Sequence, residues 1–152
     1  MRKNTKNIPL FSTGDIGGLT YTLTNNIVNY LIVIATLSGV LGWSDELVYG
    51  RVIPGMSIGL LLSGIYYAFM AYKLGKKEGR NDVTALPSGV STPAMFVILY
   101  GVIMPLHYAL GDAELTWSAA VAACFIGGVV EFCGGFIGPW IKKRVPRAAL
   151  LG

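Results

Sequence analysis

Apolar residues fall into four long runs separated by short polar segments. The runs are about Ile16–Gly42, Val52–Tyr72, Pro93–Leu110 and Trp117–Ile141. A helix needs roughly 20 such residues to cross a bilayer. The pattern therefore predicts an all-α polytopic membrane protein with four transmembrane segments, forming one domain over residues 1–152. Polar positions inside the first run are ordered. Thr22, Asn25, Asn26, Asn29 and Thr36 recur at three- and four-residue steps or their sums, so they share one helix face. Such a face is costly against lipid. It serves either to hydrogen-bond neighbouring helices or to line a solute path, with Asn26 and Asn29 as the candidate contacts.

In the second run Gly55, Gly59 and Ser63 lie four apart, a small-residue stripe that lets helices approach closely. No chemistry is expected there. The third run begins differently. The lead-in Asp82-Val-Thr-Ala-Leu-Pro-Ser-Gly-Val-Ser-Thr-Pro93 contains Pro87 and Pro93. Each biases its predecessor toward extended backbone. Ser91 or Thr92 is the expected N-cap, with Pro93 at the first helical position. Residues 83–92 carry no charge. Thr84 to Thr92, fully extended, would reach about 30 Å, against about 15 Å for half a hydrocarbon core. The third segment is thus expected to be broken, with a short extended stretch delivering a helix start to mid-membrane. A shallower start also fits, because Pro93–Leu110 makes about 27 Å of helix by itself. At depth, such a start offers unpaired N–H groups and a partial positive charge, a device that transporters use at their binding sites. Ser88, Gly89, Ser91 and Thr92 are the candidate contacts. Gly101 and Pro105 are expected to bend the helix that follows.

The fourth run holds Glu131, on a stripe with Ala119, Ala123, Gly127 and Gly135. An acid at that depth is a functional candidate by default. Two roles stand open: a structural hydrogen bond, for example to the asparagines of the first run, or proton uptake during transport.

Composition sharpens the class. The chain is 53% hydrophobic and 13% charged, with mean hydropathy +0.59; a soluble domain carries about 25% charged residues. Eleven of the twelve lysines and arginines flank the runs on one side, at residues 2–6, 73–80 and 142–147, and only Arg51 falls on the other. By the positive-inside rule both termini are cytoplasmic, in a multi-pass protein of the inner (plasma) membrane. These clusters could form nucleic-acid or lipid patches, but the pattern reads first as topology signalling. Cys124 and Cys133, nine residues apart, lie on opposite helix faces and are expected to pack. His107 is the single histidine and has no acidic cluster near it in sequence, so neither a metal nor a cofactor is expected. No nucleophile–base pair or phosphate loop suggests an enzyme.

The Thr-Ala-Leu-Pro-x-Gly-x-x-Thr-Pro element, the polar first run and the terminal Gly-Pro-Trp-Ile-Lys-Lys-Arg-Val-Pro-Arg-Ala-Ala-Leu-Leu-Gly resemble the xanthine/uracil/vitamin C permease family, the nucleobase–cation symporters. The resemblance implies the start of a seven-plus-seven inverted-repeat transporter, with solute held between two half-helices. It also implies that the chain is the amino-terminal part of a longer permease. Ser88–Thr92 would then be the strand and helix start of the third segment, touching a nucleobase-like solute. The family's proton-coupling acids lie in its second repeat, so that role does not pass to Glu131. Expected partners are the lipid bilayer, a small-molecule solute, a coupling proton or cation, and either a second copy of the chain or a complementary permease half. The alternative is a non-transporting four-helix scaffold or oligomeric module.

Overall fold

The computed structural model describes residues 13–80, 83 and 89–144. Those residues are helical apart from short connections, with no strand among them. We number four helices. Helix α1 runs Thr13–Ile34 and continues as π-helix over Ala35–Val40. Helix α2 is Asp45–Glu78, α3 is Thr92–Leu110 and α4 is Ala113–Arg144. All four contain windows long and apolar enough to cross a membrane.

The ends follow local chemistry. Gly42, Gly79 and Gly111 each adopt positive φ, near +67°, and stop the first three helices. Ser44 caps α2, its Oγ accepting the Leu47 N–H, and Asp45 and Glu46 suit the positive end of the helix. Asp112 caps α4, its Oδ1 accepting the Leu115 N–H at 3.0 Å. These caps carry α2 and α4 beyond their apolar runs. The second segment was expected over about 52–72, between polar loops; the helix instead starts at Asp45 and ends at Glu78. The apolar run marks what lipid can cover, whereas Ser44 and Gly79 lie outside it and set the helix ends. At 34 residues, α2 is about 50 Å long, well beyond a hydrocarbon core of about 30 Å. Similarly, α3 starts at Thr92, which makes Pro93 the second helical residue.

Two π-helical stretches precede prolines: Val48–Val52 before Pro54, and Val97–Ile103 before Pro105. Proline has no N–H to offer the carbonyl four residues back, at Gly50 or Gly101, and its ring crowds that carbonyl. The adjacent N–H groups reach one residue further: Ile53 donates to Val48 and Met104 to Leu99. Gly101 and Pro105 were expected to bend this helix; what the structure has before Pro105 is a stretch of widened winding.

The chain forms two compact units, Met1–Met95 and Phe96–Gly152. In the first, buried residues concentrate around the α1–α2 turn, including Leu37, Trp43, Leu47 and Val48. The Tyr30 hydroxyl of α1 meets Ser57 Oγ of α2 at 2.9 Å. Ser57 gives its proton to the Ile53 carbonyl, which leaves the tyrosine as donor. At the far end of α2, buried Gly75 admits the returning chain. Its carbonyl accepts N–H groups from both Gly79 and Arg80, and a Cβ there would meet the Arg80 carbonyl at 3.1 Å and Val83 at 3.7 Å. In the second unit α3 packs against α4, with Leu99, Ile103, Thr116 and Ala120 buried. Outward faces are apolar; Leu61, Phe125 and Phe136 are each more than 60% exposed, as residues facing lipid would be.

Candidate functional site

The polar face of α1 and the lead-in to α3 meet in the first unit. Asn26 and Asn29 are three residues apart, so their carboxamides project one turn apart on the same side. Between them they hold both backbone polar groups of Val90. The Val90 N–H donates to Asn26 Oδ1 at 3.0 Å, and Asn29 Nδ2 donates to the Val90 carbonyl at 3.2 Å. Asn29 Oδ1 then accepts the Thr92 hydroxyl at 3.2 Å. Asn29 is 1% exposed; Asn26, Val90 and Thr92 are half-buried. A residue whose N–H and C=O both reach the same neighbour is held as in a strand pair. Here two helix side chains take the place of the partner strand.

Register places the pair along the helix. Asn26 and Asn29 bracket the middle of the candidate span Gly14–Val40, roughly 18–22 Å along the helix from its start. Non-helical backbone inside a bilayer would have to be covered by protein or line a wet cavity. The asparagine pair satisfies both polar groups of the Val90 peptide from within the chain.

Close approach requires the glycine beside it. A Cβ on Gly89 would stand 3.0 Å from Asn26 Oδ1 and 3.5 Å from Asn25 Nδ2. Ser91 closes the segment: its carbonyl accepts the Met95 N–H at 2.8 Å, the first bond of α3. It thereby fills the N-cap position. The first N–H groups of that helix lack partners within it.

Five of the seven residues expected at a site therefore gather here: Asn26, Asn29, Gly89, Ser91 and Thr92. Ser88 lies outside the described residues, as does most of the stretch expected to be extended. Glu131 lies in the second unit, exposed on α4, and makes no hydrogen bond among the described residues. Asn25 was placed on the polar face but not singled out; its position one residue from Asn26 was the available signal. The role of the Val90 peptide had no signal, because a backbone group leaves no mark in the sequence. Thr36 is buried on the same face, and Ser38 Oγ is buried without a hydrogen-bond partner among the described residues. No three His, Cys, Asp or Glu side chains gather as a metal site would require among those residues.

No family model matches the chain, no curated protein is significantly similar to it, and no solved structure is significantly similar to it.

Proposed function

We propose that the chain is a component of a secondary transporter for nucleobase-like or related small solutes, coupled to a proton or another cation. The solute would meet the start of α3. One observation carries the reading: the Val90 peptide is held by two carboxamides from the middle of α1. Extended backbone turns the polar groups of successive residues to opposite sides. With the Val90 carbonyl facing α1, the planar trans peptide turns the Ser91 N–H away from it. It joins the first turn of α3, whose leading N–H groups lack partners within the helix, in one cluster of donors. A planar solute rich in carbonyl and ring-nitrogen acceptors fits such a cluster, and the resemblance to the xanthine/uracil/vitamin C permeases suggests the same solute class. In this reading the third segment is broken at mid-depth and belongs to an inverted-repeat architecture. Asn26 and Asn29 then act chiefly by positioning the backbone that touches the solute, since Asn29 is already engaged at both ends of its carboxamide.

The rival reading is a non-transporting four-helix membrane scaffold. It draws on the same asparagine bonds, which lie wholly within the chain, as in a packed bundle. Reconstituted vesicles distinguish the two. With an inward proton gradient, labelled uracil or xanthine is expected to accumulate saturably, and unlabelled nucleobase to compete. Absence of both uptake and equilibrium binding across a nucleobase panel, with the chain inserted and helical, would leave the scaffold. Exposed and without a described partner, Glu131 is expected to be dispensable for coupling. Glu131→Gln should keep gradient-driven uptake within about twofold of the parent, a change worth under half a kcal/mol. Loss of the gradient dependence alone would make this acid the proton carrier.

A further inference from the structure

We propose that the lysine-bearing end of α2 binds an anionic phospholipid of the surrounding bilayer, headgroup at the lysines and acyl chain along the helix. Phe69, Tyr72, Lys73, Lys76 and Lys77 line a shallow groove of about 410 Å³. Their spacing of three, four, seven and eight residues from Phe69 puts them on one face. The aromatic rings sit below the ammonium groups, the order in which a membrane interface is crossed from core to headgroups. None of the three lysines is ion-paired among the described residues. Glu78, the one acid in the last two turns, lies on the opposite side and pairs with Arg80 at 3.3 Å. Gly75, which receives the returning chain, also lies away from the groove.

The same face continues into the span as Ile58, Leu62 and Ile65, each about 60% exposed, and reaches Phe69 at 63%. From Ile58 to Phe69 this stripe is about 16 Å long. One leaflet of hydrocarbon is about 15 Å thick. A stripe of one leaflet's depth, ending in three cations, has the shape and charge of a phospholipid's complement. A soluble acidic protein would match the lysines but not the stripe.

The test uses the full chain, by native mass spectrometry from mixed micelles and by lipid titration in nanodiscs. Phosphatidylglycerol is expected to bind at least tenfold more tightly than phosphatidylcholine. Each basic residue near an anionic lipid surface contributes about fivefold. K73Q/K76Q/K77Q should therefore weaken phosphatidylglycerol about a hundredfold, and K76Q alone about fivefold, which keeps the test open if the triple variant inserts poorly. R51Q removes a charge at the other end of α2 and should leave the affinity unchanged. Phe69→Ala should weaken both lipids alike. The proposal is overturned if the control variant loses as much as the groove variant. It is also overturned if millimolar glycerol phosphate displaces the lipid, which would indicate a free-phosphate site, or if the lysine substitutions abolish a dimer that forms without lipid, which would make a second copy the occupant.

Discussion

Replacing Asn29 with leucine is expected to release the start of α3 while leaving four inserted helices. Leucine matches the volume but provides neither hydrogen bond. The Val90 carbonyl and the Thr92 hydroxyl would both lose their partner. An orphaned buried polar group costs about 1–3 kcal/mol. Interhelical hydrogen bonds in membranes average nearer 0.6 kcal/mol, because the unfolded chain also finds partners there. A side chain regains such partners readily; a backbone carbonyl fixed between Gly89 and the Ser91 cap does so less easily. The local penalty should thus exceed the global one. Exchange of the Val90 amide, read by mass spectrometry in nanodiscs, should accelerate ten- to a hundredfold, about 1.4–2.8 kcal/mol. The melting temperature should fall only slightly. Thr92→Val removes one of the orphaned groups, so N29L/T92V should recover part of the loss, and the double-mutant cycle measures that coupling. Unchanged exchange in Asn29→Leu would mean that the carboxamide does not hold the segment.

The second large effect is expected at Gly89. A valine there places its Cβ 3.0 Å from Asn26 Oδ1, the atom that accepts the Val90 N–H. The carboxamide must give by a few tenths of an ångström, and Asn25 Nδ2 stands in ordinary contact with the same Cβ at 3.5 Å. Gly89→Ala carries the same Cβ without the branch and should be milder. On the proposed function, Gly89→Val should cut solute uptake at least tenfold while insertion and far-ultraviolet helicity stay at parental values. Faster exchange at Val90 provides a second readout that does not depend on knowing the solute. Parental uptake and parental exchange together would remove Gly89 from the site.

Much of the architecture was legible because bilayers impose simple rules. Four apolar runs became four helices, and Gly42 and Leu110 marked the ends of the first and third within two residues. The reach of α2 was not legible from hydropathy, which records where lipid lies. Its ends depend on Ser44 and Gly79, both in polar sequence. The asparagine face could be read from spacing alone, since period is local information. What it binds could not, because the acceptor and donor on Val90 are common to every non-proline residue. From Gly101 and Pro105 a bend is expected; what stands before Pro105 is irregular winding. Its form, a π-helical stretch, depends on which neighbouring N–H reaches back to which carbonyl.

The bonds between α1 and the lead-in join residues 61–64 positions apart. A ribosome adding about 5–20 residues per second needs several seconds to bridge that gap. During this interval α1 has left the tunnel while its hydrogen-bonding partners do not yet exist. Its carboxamides must wait beside the insertion machinery or tolerate hydrocarbon unaided. Biogenesis of this protein should therefore be sensitive to the rate of translation between the first helix and Val90, and a pause there would prolong the interval in which the nascent chain is most exposed to quality-control proteases.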